Sequence, residues 1–362
     1  MSPLAWLSLL GGLALLLVGA ELLVRGASRL AAALGIAPLV IGLTVVAYGT
    51  SAPELAVSVR AGLAGSAGLA MGNVLGSNLF NILLVLGLSS LLVPLDVSRQ
   101  LIRIDVPILV AVTALAYVLA LDGRLGRADG AVLLVLAAAY TGLQVAAARR
   151  PRSGTERAGQ GSRQETGGSW PVQIALVLGG LALLVLGSGW LVEGAMATAR
   201  WLGVGETLIG LTIVAAGTSL PELATSVVAG VRGERDLATG NVVGSDIFNV
   251  LVVLGAAAAL SPRGLPVPEQ ALRFDFPVAL AAAFACLPIF FTGHRIARWE
   301  GALFLVYYAA YVLYLFLSAA RRPSLAAFER AMLVYVIPLT AITLATVTVR
   351  ALRHGRAGGA GG

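Results

Sequence analysis

GLTVVAYGTSAPELAVSV at residues 42–59 returns as GLTIVAAGTSLPELATSV at residues 210–227. The match runs without a gap from 42–87 to 210–255, an offset of 168 residues. It takes in GNVLGSNLFN (72–81) and GNVVGSDIFN (240–249). Roughly 30 of the 46 aligned positions are identical, far above chance. Weaker matches extend the repeat. Arg103-Ile-Asp105-Val-Pro107 pairs with Arg273-Phe-Asp275-Phe-Pro277, Asp129-Gly130 with Glu300-Gly301, and Tyr140 with Tyr311. A whole unit of the chain is duplicated.

The unit is apolar. Of 362 residues, 58% are hydrophobic and 12% charged, too few charges to cover a soluble protein of this size. Apolar runs predict membrane helices over 3–32, 36–62, 69–92, 104–121 and 129–148. A second set follows over 171–201, 204–231, 237–260, 275–292 and 299–319, with a last run over 328–349. Five helices is an odd number, so the second copy must enter the bilayer facing the other way. That is the inverted repeat of many secondary transporters. The fold class is therefore an all-α polytopic membrane protein with ten core helices and one additional C-terminal helix. It divides into a first five-helix repeat (1–148), a polar linker (149–170), a second inverted repeat (171–320) and a final helix with a basic tail (321–362).

Charge sets the orientation and removes several function classes. The net charge is +7 and every basic residue is arginine. With the N-terminus outside, the cytoplasmic side, including the linker, holds 16 arginines and the other side nine. The N-terminus lacks a basic n-region and reads as a first membrane helix, not a cleaved signal. No basic face suits nucleic acid. The single cysteine, Cys286, excludes an intrachain disulfide. His294 and His354 lie in a loop and a tail without metal-ligand spacing, and no core helix holds a histidine for catalysis. The expectation is a transporter of the cell membrane, not an enzyme, with no cofactor and an unassigned oligomeric state.

The chemistry sits in the repeated motifs. Glu54 and Glu222 lie midway along the second and seventh helices. A bare carboxylate at that depth costs about 3 kcal/mol or more. An arginine at comparable depth would make it a structural ion pair, but the sequence offers none. A protonated carboxyl that only ties helices together is the other bland reading. Each glutamate follows Gly-Thr-Ser-x-Pro: Gly49, Thr50, Ser51 and Pro53, then Gly217, Thr218, Ser219 and Pro221. Glycine and proline break the helix and are expected to free carbonyls near Ala47 and Thr50, and near Ala215 and Thr218. Hard oxygens of this kind suit Ca2+ and also Na+. One turn apart on the neighbouring helices stand Ser77 and Asn81, and Ser245 and Asn249, able to complete an oxygen cage. Asn73 and Asn241, on the same faces, are expected to line the approach. Gly-mediated packing with polar cross-links is the plainer reading of these segments. Asp105 and Asp275 are expected to cap their helices.

Paired GTSxPE and GNVxGSxxFN segments, one pair in each half, resemble the alpha repeats of the cation/calcium exchanger superfamily, and the compact prokaryotic sodium/calcium exchangers most of all. The resemblance covers about 1–320. It implies ten core helices, with the second, third, seventh and eighth around the ion sites. It implies that Glu54 and Glu222 clamp Ca2+ with backbone oxygens of Thr50 and Thr218. It places Na+ at Thr50, Thr218, Ser51, Ser219, Ser77, Ser245 and the carbonyls of Ala47 and Ala215. Helices 1 and 6 would slide across a rigid core. One departure stands out: Asn81 and Asn249 occupy positions where many relatives carry one aspartate. The nearby Asp246 is about 100° round the helix from Ser245 and is expected to face away. The resulting expectation is Ca2+/Na+ antiport, with Ca2+/H+ antiport as the alternative, K+ as a further counter-ion to separate, and a passive cation channel as a remoter one.

Overall fold

A computed structural model describes residues 3–148, 170–203, 213, 215–320 and 322–358. The linker and most of 204–214, where the seventh helix was expected to begin, lie outside the described residues. The first repeat contains α1 (Pro3–Leu34), α2 (Pro38–Thr50), α3 (Ala52–Leu63), α4 (Ala67–Leu92), α5 (Leu101–Ala120) and α6 (Arg127–Ala148). The second contains α7 (Trp170–Trp201), a turn at Ala215–Gly217, α8 (Leu220–Val231), α9 (Arg235–Leu260), α10 (Ala271–Phe291) and α11 (Arg298–Ala319). α12 (Ser324–Val347) belongs to a helical segment that reaches Gly358.

Among the described residues, four two-residue strands bind the halves together and report their relative orientation. β1 (Leu95–Asp96) pairs antiparallel with β4 (Arg295–Ile296), and β2 (Arg124–Leu125) with β3 (Leu265–Pro266). β1 and β3 are repeat equivalents, as are β2 and β4. Only one span, α5, separates β1 from β2, so the two strand pairs lie on opposite faces. Equivalent loops are therefore on opposite sides of the membrane, as an inverted repeat demands.

α4 and α9 form the centre of the bundle, the most deeply buried of its long apolar helices. α6 packs on α9 and α11 on α4, each across the repeat boundary. Outside this core, α1 and α7 run antiparallel along each other. Each has 32 residues, about 48 Å of helix, well beyond the ~30 Å of hydrocarbon. Glycines bring the backbones together. A Cβ added to Gly180 would stand 2.6 Å from the Leu23 nitrogen, and one added to Gly19 would stand 2.8 Å from that of Leu184. Small residues at such a seam let backbones touch where lipid removes the hydrophobic drive for association. α12 buries none of its most apolar stretch and meets α11 through a Tyr307–Thr340 hydrogen bond of 2.8 Å. It is the additional C-terminal helix expected from the last apolar run.

The expected caps are corrected. The helical backbone already begins at Arg99 and Glu269, and π-helical turns carry it through Asp105 and Asp275. Neither aspartate caps with its side chain. Asp105 instead accepts hydrogen bonds from Gln144 (2.6 Å) and Tyr140 (3.1 Å), pinning α5 to α6. The capping acids are Asp129 and Glu300, which accept the Gly126 and Ala297 N–H groups, each at 2.7 Å. Gly180→Val should overpack the α1–α7 seam and cost about 1–3 kcal/mol. Thermal unfolding in detergent checks this, and an unchanged midpoint would contradict the contact.

Candidate functional site

The site is built where two helices break. Ser51 leaves helical geometry (φ −84°, ψ 8°), Pro53 sits in the first turn of α3, and the axis turns by 47° between α2 and α3. Ser219 (φ −91°, ψ 7°) and Pro221 do the same before α8. The two breaks differ in detail. The Ser51 N–H still bonds the Ala47 carbonyl at 3.0 Å, whereas the Ser219 N–H bonds Ala216 at 3.2 Å. So the Ala47 carbonyl, expected to be freed, keeps a backbone partner. A carbonyl has a second lone pair, and the Ser245 hydroxyl lies 3.5 Å from this one.

The breaks bring the two glutamates together crosswise. Ser51 Oγ donates to Glu222 Oε1 at 2.9 Å, and Ser219 Oγ donates to Glu54 Oε1 at 3.0 Å. Each serine thus serves the carboxylate of the opposite half. Both glutamates are fully buried, and the Oε2 atom of each has no hydrogen-bond partner. Ser245 Oγ lies 3.5 Å from Glu222 Oε1. Ser77 Oγ, Asn81 Oδ1 and Asn249 Oδ1 are buried without a partner as well. Among the described residues no arginine or histidine is buried to balance the carboxylates. Unmatched acceptors at bilayer depth with no buried base are costly to leave bare. Thr50 and Thr218 flank it, and their hydroxyls donate to Asn241 and Asn73, each at 3.2 Å. Of the expected ligand residues, the side chain of Ala215 lies outside the described ones; its backbone opens the turn before α8.

Two groups differ from the sequence reading. Asn73 and Asn241, expected to line the approach, brace the break with their side chains. Asn73 Nδ2 donates to the Glu54 carbonyl (3.1 Å) and to Ser58 Oγ (2.9 Å). Asn241 Nδ2 donates to the Glu222 carbonyl (3.4 Å) and Ser226 Oγ (3.0 Å). Each also receives the threonine of the opposite half. The signal was in the motif: each asparagine stands one turn before a site serine. Asp246 does not face away. It is fully buried, and its Oδ1 accepts a hydrogen bond from Asn81 Nδ2 at 3.0 Å. Helical angle alone missed this because α4 crosses α9 on that side.

Two inverted five-helix repeats around a buried pair of acids define a membrane transporter class. The comparisons agree. The chain belongs to the sodium/calcium exchanger protein family, whose model matches residues 4–146 and 172–317. It is 41% identical over 323 residues to the putative antiporter CaxA of Alkalimonas amylolytica, covering 87% of this chain and 99% of that one. It is 34% identical over 345 residues to the sodium/calcium exchanger MaX1 of Methanosarcina acetivorans, covering 86% and 98%. A solved structure of the sodium-calcium exchanger NCX_Mj, soaked with 2.5 mM Na+ and 1 mM Sr2+, superposes with a TM-score of 0.75 at 31% identity, over 86% of this chain and 99% of that one.

Asn73→Ala would strip a partner from the Glu54 carbonyl, Ser58 and Thr218 at once. It should lower stability by about 1–3 kcal/mol in thermal unfolding. A wild-type midpoint would show that the brace carries no load.

Proposed function

We propose that this member of the family exchanges Ca2+ for Na+ through the Glu54–Glu222 seat by alternating access. The observation that carries the reading is the crosswise pair of serine–glutamate hydrogen bonds, with one bare oxygen left on each buried carboxylate. Two negative charges match one Ca2+ or two Na+, so the two occupancies compete for the same oxygens and the fluxes become coupled. Thr50, Thr218, Ser51, Ser219, Ser77, Ser245, Asn81, Asn249 and the carbonyls of Ala47 and Ala215 complete the ligand set in this reading. Residues 1–148 and 171–320 are its two functional halves, and 149–170 joins them in the cytoplasm.

Glu54→Gln and Glu222→Gln should each abolish Ca2+ uptake into proteoliposomes driven by an outward Na+ gradient, with the variants still folded. Uptake that survives both changes would refute the reading. Uptake driven by a pH gradient without Na+ would replace Na+ with H+ as the counter-ion.

The proposed orientation rests on where the arginines fall. Asp96 pairs with Arg235 and Arg295, which gathers the loops after α4, α8 and α10 on one face. That face shares its side with the arginine-rich linker, and the N-terminus then lies outside. A cysteine introduced at Asp122, in the loop between α5 and α6, should react with an impermeant thiol reagent added outside intact cells. Reaction only after permeabilisation would reverse the topology.

A further inference from the structure

The two helix breaks are alike in motif but are held from different helices. Proline orphans one carbonyl in each. The helical partner of the Gly217 carbonyl would be the N–H of Pro221, and that of the Gly49 carbonyl the N–H of Pro53, and proline has none. In the second half a donor comes from outside the motif. Ser188, buried on α7, donates its hydroxyl to the Gly217 carbonyl at 2.5 Å. The stretch that ends in Ser188, GGLALLVLGS (179–188), is the repeat of GGLALLLVGA (11–20), so Ala20 stands in its place in the first half. Alanine has no donor to offer. The first break is tied elsewhere. The Tyr48 hydroxyl meets Thr141 Oγ1 of α6 at 2.5 Å, and Thr141 in turn donates to the Ala137 carbonyl at 2.8 Å. The repeat counterpart of Tyr48 is Ala216. Each break thus has a tether that the other lacks. α7 also comes very close. A Cβ added to Gly217 would stand 2.5 Å from Val192 Cγ2, and one added to Gly49 would stand 2.5 Å from Leu181 Cδ1. Leu181, Ser188 and Val192 share one face of α7, so that face runs along both breaks.

We propose that Ser188 is a positioning residue for the cation seat: its hydroxyl fixes the Gly217–Thr218 peptide and so sets Thr218 and Ser219 against the glutamates. The path from Ser188 to the seat is short. Thr218 follows the bonded carbonyl directly, and its hydroxyl donates to Asn73 Oδ1 at 3.2 Å. Ser219 comes next, and its Oγ donates to Glu54 Oε1 at 3.0 Å. The helical turn before this break ends at Gly217, so the bonded peptide is the one where helix stops. A buried carbonyl without a donor is costly. With the Ser188 hydroxyl removed, the peptide turns to find another partner and carries Thr218 with it. Ligands held in place before the ion arrives bind it more tightly, because their ordering cost is met in advance. Ala20 makes this control one-sided: α7 positions the second break, and α1 does not do the same for the first.

This inference rests on the Glu54–Glu222 seat, and the test separates the two. Full-length protein is measured in two ways. The rise of the thermal midpoint with Ca2+ reports binding to the folded state. Ca2+ uptake into proteoliposomes, driven by an outward Na+ gradient, reports half-saturation and maximal rate. Ser188→Ala and Ser188→Val should raise the half-saturating Ca2+ concentration about 3- to 10-fold in both measurements, the worth of one hydrogen bond. The maximal rate should fall by less than about 2-fold, as expected when binding alone is weakened. Ser188→Thr should restore the wild-type half-saturation. Threonine and valine have nearly the same shape, so their difference isolates the hydroxyl. Wild-type half-saturation in Ser188→Ala overturns the proposal, even where the midpoint without Ca2+ falls, because the hydroxyl is then only a packing bond. Equal behaviour of the threonine and valine variants overturns it too. Should the threonine variant fail to fold, Ser188→Ala against wild type still decides. A Ca2+ response that survives Glu54→Gln/Glu222→Gln refutes the seat itself. Loss of that response, together with a wild-type Ser188→Ala, refutes the Ser188 assignment alone.

Discussion

Two carboxylates are held at the centre of an apolar bundle, and no buried base among the described residues balances them. An unpaired charge at that depth costs several kcal/mol, and in the proposed reading a bound cation offsets that cost. The rest of the structure serves that arrangement. The helix breaks turn serines outward from one half to reach the carboxylate of the other. The asparagine braces fix the carbonyls beside each glutamate. The site belongs to neither repeat alone, because each Glu is completed by the opposite Ser.

The pseudo-symmetry is close in the core and poorer outside it. α4 and α9 repeat each other's contacts almost residue for residue, down to Asn73 with Ser58 and Asn241 with Ser226. The α1–α7 pair breaks the pattern. On one face Glu21 of α1 pairs with Arg232, and Ser28 donates to Glu234 at 2.6 Å. The repeat-related positions hold Gly189, Ala64, Met196 and Ser66, which cannot reproduce those contacts. The two faces of the molecule are therefore chemically unequal. That inequality sits on the long glycine-seamed helices, not on the site.

Much of this was legible in the sequence because the two halves are still similar enough to align. An odd helix count per unit made the inversion a matter of parity, and two GTSxPE copies located Glu54 and Glu222. What stayed hidden depended on crossings between helices. Helical angle turns Asp246 away from Ser245 on its own helix, but says nothing of α4 crossing on that side. Asp105 looked like a cap because Pro107 follows it, yet a π-helical turn carries the helix through it and leaves the carboxylate for Gln144 and Tyr140. The Ala47 carbonyl kept its N–H partner because the chain stays helical through Thr50 and departs only at Ser51.

The central claim is that a divalent cation lies between the two crosswise-bonded glutamates. Crystals of the full chain soaked in Sr2+ and measured for anomalous scattering test it directly. The account predicts one strong peak within coordination distance of both Glu54 and Glu222. A peak elsewhere, or none under conditions where the protein transports Ca2+, would contradict it.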